Sequence, residues 1–469
     1  MSSSVRCWTL ASVVGLVVSD ACGAGGVVSA GSYGSIQQAI DANPGRMILL
    51  PQGDHVISKK LRMATDGGGL YGYGRIVQTN PAEAILEIEH ASGVRVRDLT
   101  LTRVEGHKEA TAPGLFCWDS HDVVLDGVTV VDNRSRDAAI ELRETTGCTV
   151  RSCRVVNYKR IAVDDRTDSE HYGYAFFCID GTGILVTRGT GTMILDNRIV
   201  ERNLLPTREL KQKHRLGMLT KGKRPSRQGT LAAGAFKRKY VNNWHQGSAI
   251  VVTAPEATHH TIIRGNYIEN AAQGIDLHAD HVICSNNVVN HGMMGIKATH
   301  GCRNLIIADN LLTHVDLWGI LLNPGTASHG AEPASDGKPA RPANVDAGTM
   351  IVNNIISDYG YGHEYWNWGG ASDDQGSSYA IALYEGQLPR NPPLTDVLVQ
   401  GNIVYNTGRD KMLVDGKPRV LPPRYRYAVY VGGWDSRTET GPTYPRGLHF
   451  SNNLFHPGTR GVSNVKLKP

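Results

Sequence analysis

Asp276 and His278, in the stretch GIDLH, stand two residues apart on a segment whose intervening residues, Ile275 and Leu277, are apolar. In an extended strand that spacing sends the apolar pair to one face and the acid and imidazole to the other, where they form a candidate general acid–base pair. Aligning the chain on itself sets Lys297 beside Asp276, one repeat later, and extends the outward row to Arg143, Asn323 and Tyr384. Asp276, His278 and Lys297 are the candidate reaction centre. Arg143, Asn323 and Tyr384 are candidate contacts to an extended saccharide, because outward strand positions are rigid and evenly spaced. The competing reading is a solvated face with one exposed ion pair, contributing about 0–1 kcal/mol.

A second group of chemistry-bearing residues is concentrated in one insertion. Residues 207–239 hold eleven Lys or Arg and a single acid, Glu209, a local charge of +10 in a chain whose net charge is +5, so the remainder is net −5. Such a loop beside the row fits a polyanionic partner, with Lys213, His214, Arg215 and Lys221 as contacts to substrate carboxylates. Cleaving a polyuronate by β-elimination requires removal of the C5 proton, neutralisation of the developing enolate and protonation of the leaving oxygen. Like charges nearby lower a lysine's pKa from its usual value of about 10.4, which makes a lysine of this insertion a candidate base. The acidic run DDRTDSEH (Asp164, Asp165, Asp168, Glu170) has the carboxylates for an optional Ca²⁺ ion, though the chemistry needs no cofactor. The aromatic run Tyr359 to Gly370 suits stacking on sugar rings or packing of its own loop.

The elements that position these residues are written as a repeat. HTIIRGNYIENAAQGIDLH, HVICSNNVVNHGMMGIKAT and NLIIADNLLTHVDLWGILL align with Asn266, Asn287 and Asn310 in register, and the same phrase returns at Asn197, Asn354, Asn402 and Asn453, with weaker echoes in VRVRDLTL, DVVLDGVTV and CTVRSCRVV. Each unit reads as a strand, an Asn turn, a second strand, a variable loop and a third strand of Gly-Ile-x-Leu type. No unit closes a core alone, but stacking successive turns of chain at about 4.8 Å buries a continuous apolar interior. The predicted fold is all-β, a single right-handed parallel β-helix of about ten coils. The asparagines are expected to adopt the left-handed conformation and to stack as an amide ladder.

The segment from Ser32 to Met63 has helical spacing through Ile36, Ile40 and Ala42, then a strand, a Pro-Gln-Gly turn and a strand. It resembles the opening segment of the pectate-lyase-like β-helix superfamily, in which a short helix caps the first coil. The GIDLH stretch is similar to the Asp-Pro-His signature of mannuronan C5-epimerases, with Leu277 in place of proline. In β-helix alginate lyases a Tyr acid and a Lys base come from neighbouring coils, and the similar candidates here are Tyr172 or Tyr174 with Lys211 or Lys213.

These readings together predict a polysaccharide lyase acting on an acidic polysaccharide such as alginate. The alternatives are a polyuronate C5-epimerase, a glycoside hydrolase, or a non-catalytic carbohydrate-binding β-helix. A hydrolase needs two carboxyls about 5–9.5 Å apart, and Asp276 has no acidic neighbour on the adjoining coils. Residues 1–24 have the layout of a secretory signal, with Arg6 before an apolar run and small residues after it, so a secreted or periplasmic monomer is expected. Residues 25–469 then form one catalytic domain with insertions near 157–174, 203–244, 324–348, 359–378 and 406–426. Export argues against a nucleic-acid partner, and no long apolar span after residue 30 argues for a membrane. Cys117, Cys148, Cys153, Cys178, Cys284 and Cys302 lack metal-ligand spacing and are expected to be buried.

Overall fold

The computed structural model describes residues 27–104, 110–169, 173–205, 240–245, 247–335, 337–358, 378–405, 411–414, 417–420, 425–432 and 443–468. One sheet stacks thirteen strands in chain order, from Val28–Ser29 to Arg446–Ser451, and the other walls of each coil belong to a 20-stranded sheet that bends around the interior. Neighbours in the thirteen-stranded stack are parallel throughout. This is a single right-handed parallel β-helix. Each of the ten sequence echoes is one strand of that stack, and Val28–Ser29, Met47–Leu49 and Gly69–Tyr71 extend it at the N-terminal end without the phrase.

Alternation along each strand builds the core. Val96, Leu125, Val150, Ile194, Ile263, Cys284, Ile307, Ile351 and Val399 point inward in a continuous buried column. The glycine of Gly-Ile-x-Leu is required at the corner before the third wall. A Cβ on Gly274 would sit 2.5 Å from the Gly295 carbonyl oxygen and 2.8 Å from Val289 Cγ1. Five cysteines, Cys117, Cys148, Cys153, Cys284 and Cys302, are free and buried, and the side chain of Cys178 lies outside the description.

The asparagine ladder runs from Asn197 to Asn453. Asn266 Nδ2 donates to Asn287 Oδ1 at 2.9 Å, Asn287 to Asn310 at 3.0 Å, and the series continues through Asn354 and Asn402. Each Oδ1 also accepts the backbone N–H of the preceding asparagine, as Asn287 does from Asn266 at 3.0 Å. The left-handed residue is not the ladder asparagine itself but the one before it: Asp196, Asn286, Asp309, Asn353 and Asn452 all have positive φ. That turn aims the next side chain inward along the stack. Leu99, Val128 and Cys153 occupy the position on earlier coils, where the phrase is weak. Replacing Asn287 by Ala is expected to destabilise the fold by about 2–4 kcal/mol, because the buried N–H and amide of Asn266 lose their acceptor. The check is a lower urea midpoint at unchanged m-value.

The helix Ile36–Ala42 covers the first coil, as expected. Ser35 caps it by accepting the Gln38 N–H, and Ile36 and Ala39 join the core. Gln37 pairs with both backbone groups of Arg62, at 2.8 and 3.0 Å, and so satisfies part of the end coil's open edge. Among the described residues no helix is long and apolar enough to cross a membrane.

Candidate active site

On the third wall, strand pairing sets the outward residues in two columns. One runs Arg62, Glu87, Phe116, Glu141, Leu185, Val251, Asp276, Lys297, Leu321, Ala382, Tyr430. The other runs Glu89, Trp118, Arg143, Thr187, Thr253 and, past His278, through Thr299, Asn323 and Tyr384.

Asp276 and Lys297 are neighbours on adjacent strands, as the alignment predicts. Asp276 is 3% exposed, between Glu141 at 1% and Glu87 at 7% on the same column. Its Oδ2 lies 3.0 Å from Lys297 Nζ and its Oδ1 2.9 Å from His278 Nε2, the latter at an angle that does not make a hydrogen bond. His278 Nδ1 is 3.0 Å from Thr253 Oγ1, and the imidazole edge meets His300. Burial opposes the charge on Asp276, but His278 and Lys297 outweigh it and hold the carboxyl well below the usual range. Burial, reinforced by neighbouring His278 and Lys297, pushes His300 down to about 3.

Asn323 and Tyr384, expected on the open row, are fully enclosed at 0% and 1% exposure. The chain after Tyr384 folds back over them: Asn323 Nδ2 donates to the Glu385 carbonyl at 2.6 Å and its Oδ1 accepts from Gln387 at 2.9 Å, while Trp318 Nε1 donates to the Tyr384 hydroxyl at 3.2 Å. Lys211, Lys213, His214, Arg215 and Lys221 lie outside the described residues, as do Glu170, Tyr172 and the run 359–370. Tyr174 sits on the strand Gly173–Asp180, in a separate three-stranded sheet with Arg160–Ser169 and Tyr240–His245. Its side chain, and those of Asp164, Asp165 and Asp168, are outside the description. Among the described residues no group of three or more His, Cys, Asp or Glu side chains is placed to hold a metal ion.

The structure brings together an acidic cluster that the alignment reached only through Glu141 and Arg143. Glu87 and Glu141 flank Phe116 in register, two strands apart, which is about 9.6 Å between backbones. Glu87 pairs with Lys60 at 2.7 Å, Glu89 with Arg62, and Trp118 Nε1 donates to Glu89 Oε2 at 3.3 Å. Arg143, half exposed, donates from Nε to Glu141 Oε1 at 3.0 Å and lies over the Phe116 ring. Glu141 Oε2 is buried with no partner among the described residues. Burial raises the Glu141 carboxyl above its ordinary value against the pull of Arg143, and Asp137 adds to the rise. Asp137 is itself raised by burial. A cleft of about 880 Å³ opens at this end between the cap helix and the segment 56–62, lined by Gln37, Asp41, Lys59, Lys60, Arg62 and Glu83. The signal that finds these acids is the alternation in LEIEH, where Leu86 and Ile88 turn inward and Glu87 and Glu89 outward.

Beside His300, the segment 324–346 is rooted by Asp346, which accepts N–H bonds from Gly301 and Cys302 and the Ser328 hydroxyl at 2.6 Å. Burial outweighs these donors and pushes Asp346 up to about 6. A carboxyl raised in the folded state adds stability below its unfolded pKa, and this is lost as pH rises through the folded value. Stability should therefore fall by up to about 3 kcal/mol between pH 4 and 7 on this account. Asp346→Asn is expected to remove that slope in urea titrations, since Ser328 can turn to accept from the amide.

Neither a protein-family model nor a curated sequence matches this chain. Among solved structures it is similar to the catalytic unit of a GH87 α-1,3-glucanase from Streptomyces thermodiastaticus strain HF3-3, at TM-score 0.50 and 10% identity over 94% of this chain and 70% of that one. It is likewise similar to the catalytic domain of a GH87 α-1,3-glucanase in complex with nigerose, at TM-score 0.50 and 13% identity over 93% and 65%. A tailspike protein of E. coli bacteriophage HK620 in complex with a pentasaccharide matches at TM-score 0.50 and 12% identity, over 91% and 63%. This chain thus spans about two thirds of the length of each. The lyase expectation is corrected by these neighbours, which are named as α-1,3-glucanases and a saccharide-bound tailspike rather than as lyases. At such low identity the likeness establishes the architecture, a parallel β-helix.

Proposed function

We propose that this protein is a glycoside hydrolase that binds a polysaccharide along the outer face of the third wall, with Glu141 as general acid and Glu87 as general base. The observation that carries this reading is the pair of outward glutamates flanking Phe116, one raised by burial and the other held by Lys60. A separation of 6.5–9.5 Å between carboxyls leaves room for an attacking water and gives inversion, and backbones about 9.6 Å apart allow it. Trp118 supplies a flat apolar surface beside the pair, and the cleft at the cap end has room for saccharide. The α-1,3-glucanases and the saccharide-bound tailspike support a carbohydrate ligand for a face of this architecture.

The test is incubation with a panel of neutral and acidic polysaccharides, α-1,3-glucan included. New reducing ends without a rise in absorbance near 235 nm are expected. Growth of that absorbance, or no reducing ends with any polymer, overturns the reading. A second reading rests on the contact of His278 with Asp276 and places the acid–base pair there. It requires His278→Ala to abolish turnover while Glu141→Gln leaves it intact.

A further inference from the structure

Six of the exposed large apolar side chains lie on two stripes, one on each side of the asparagine turn. Ile283, Ile306 and Met350 are successive outward residues of the thirteen-stranded sheet, and Leu311, Ile355 and Leu454 lie on the wall that follows, all between 37% and 57% exposed. Half-exposed Ile262 and Leu398 continue the first stripe, and Val288 and Ile403 the second. The outward positions two residues further along the sheet are Ser285, Ala308, Val352 and Gln400, also uncharged.

Earlier coils supply the control. In the second column they carry Thr100, Thr129, Arg154 and Arg198, in the first Arg95, Val124, Thr149 and Met193, and two residues further along the sheet Arg97, Asp126, Arg151 and Arg264, with Arg151 paired to Asp126 at 2.8 Å and Arg198 near Glu269. On later coils both columns run unbroken through Ile, Leu, Met and Val, a contiguous apolar surface of the kind that marks an interaction site.

We propose that this flank is an interface with a second copy of the chain. The stripes are uncharged, with exposed Asp309 in the turn between them, and a copy offers apolar stripes of the same length and the same spacing of about 4.8 Å. The ten exposed and half-exposed side chains cover roughly 700 Å² per copy, or about 1,400 Å² in a pair, within the range of stable interfaces. The +10 charge of residues 207–239 makes that insertion a poor cover for it.

The experiment is sedimentation velocity on the full chain at about 1–50 μM. An oligomer that persists in 1 M NaCl is expected. Ile306→Lys combined with Ile355→Lys should raise its dissociation constant at least about a hundredfold, since a charge is then buried at the centre of the contact. The milder pair Ile306→Ser and Ile355→Ser should weaken association while the urea midpoint, measured at a concentration where parent and variant are both monomeric, stays close to the parent's, which separates the interface from the fold. Thr129→Lys, in the second column on a charged coil, should leave the mass as in the parent. A monomeric parent, an oligomer that dissolves in salt, or lysine variants that keep the parent mass would each overturn the proposal.

Discussion

Glu141→Gln is expected to lower turnover on the natural polysaccharide by about 10²–10⁴-fold, the scale for removing a general acid. The substitution keeps the side chain's size and an acceptor for Arg143, so the fold should be unaffected. Because burial raises this carboxyl, it stays protonated to higher pH than a solvated glutamate, and the alkaline limb of kcat/KM in the parent should report its titration. That limb should vanish in the variant. A substrate with an activated leaving group needs no proton, so an aryl glycoside should recover most of the lost rate with Glu141→Gln and little with Glu87→Gln. Equal losses on both substrates would show that Glu141 positions substrate rather than protonating it. Full activity on the polymer would remove it from the mechanism.

Asp276→Ala should cost about 3–5 kcal/mol of folding stability, because it leaves Lys297 enclosed without its counter-charge. Replacing Asp276 and Lys297 together by apolar residues of similar volume should recover most of the loss, since no buried charge then remains. The pH dependence has a definite sign. Asp276 has a folded pKa below its unfolded value near 4, so its stabilisation is present above about pH 4 and is lost as pH falls toward the folded value. The parent should therefore lose stability on acidification below pH 4, and Asp276→Asn should lack that part of the slope. A urea midpoint for Asp276→Ala within about 0.5 kcal/mol of the parent would mean that solvent reaches the pair and that the site is open.

The coil was legible because its determinants are local. Alternation of apolar residues selects the inward face, and a short polar or Gly residue before each asparagine permits the left-handed turn, so strands, turns and ladder follow from a few consecutive residues. Adjacency of Asp276 and Lys297 followed in the same way, because 21 residues separate Asn266 from Asn287 and no insertion intervenes. The cysteines were read as buried because they lack metal-ligand spacing, and the structure buries all five whose side chains it describes.

What the tertiary structure decided is which outward residues meet and which stay wet. Alternation shows that Glu87, Asn323 and Tyr384 all leave the core, but it is silent on whether later chain folds over them. Asn323 and Tyr384 are enclosed by residues that follow Tyr384, and Glu87 meets Lys60 from 27 positions earlier. The spacing between ladder neighbours ranges from 21 residues to the 69 between Asn197 and Asn266. An insertion of any length rejoins the stack at the same height, because strand pairing fixes the step at about 4.8 Å per coil whatever lies between. Sequence distance therefore carries no measure of the gap between two outward carboxyls, and only the register of the folded chain sets Glu87 and Glu141 on either side of Phe116.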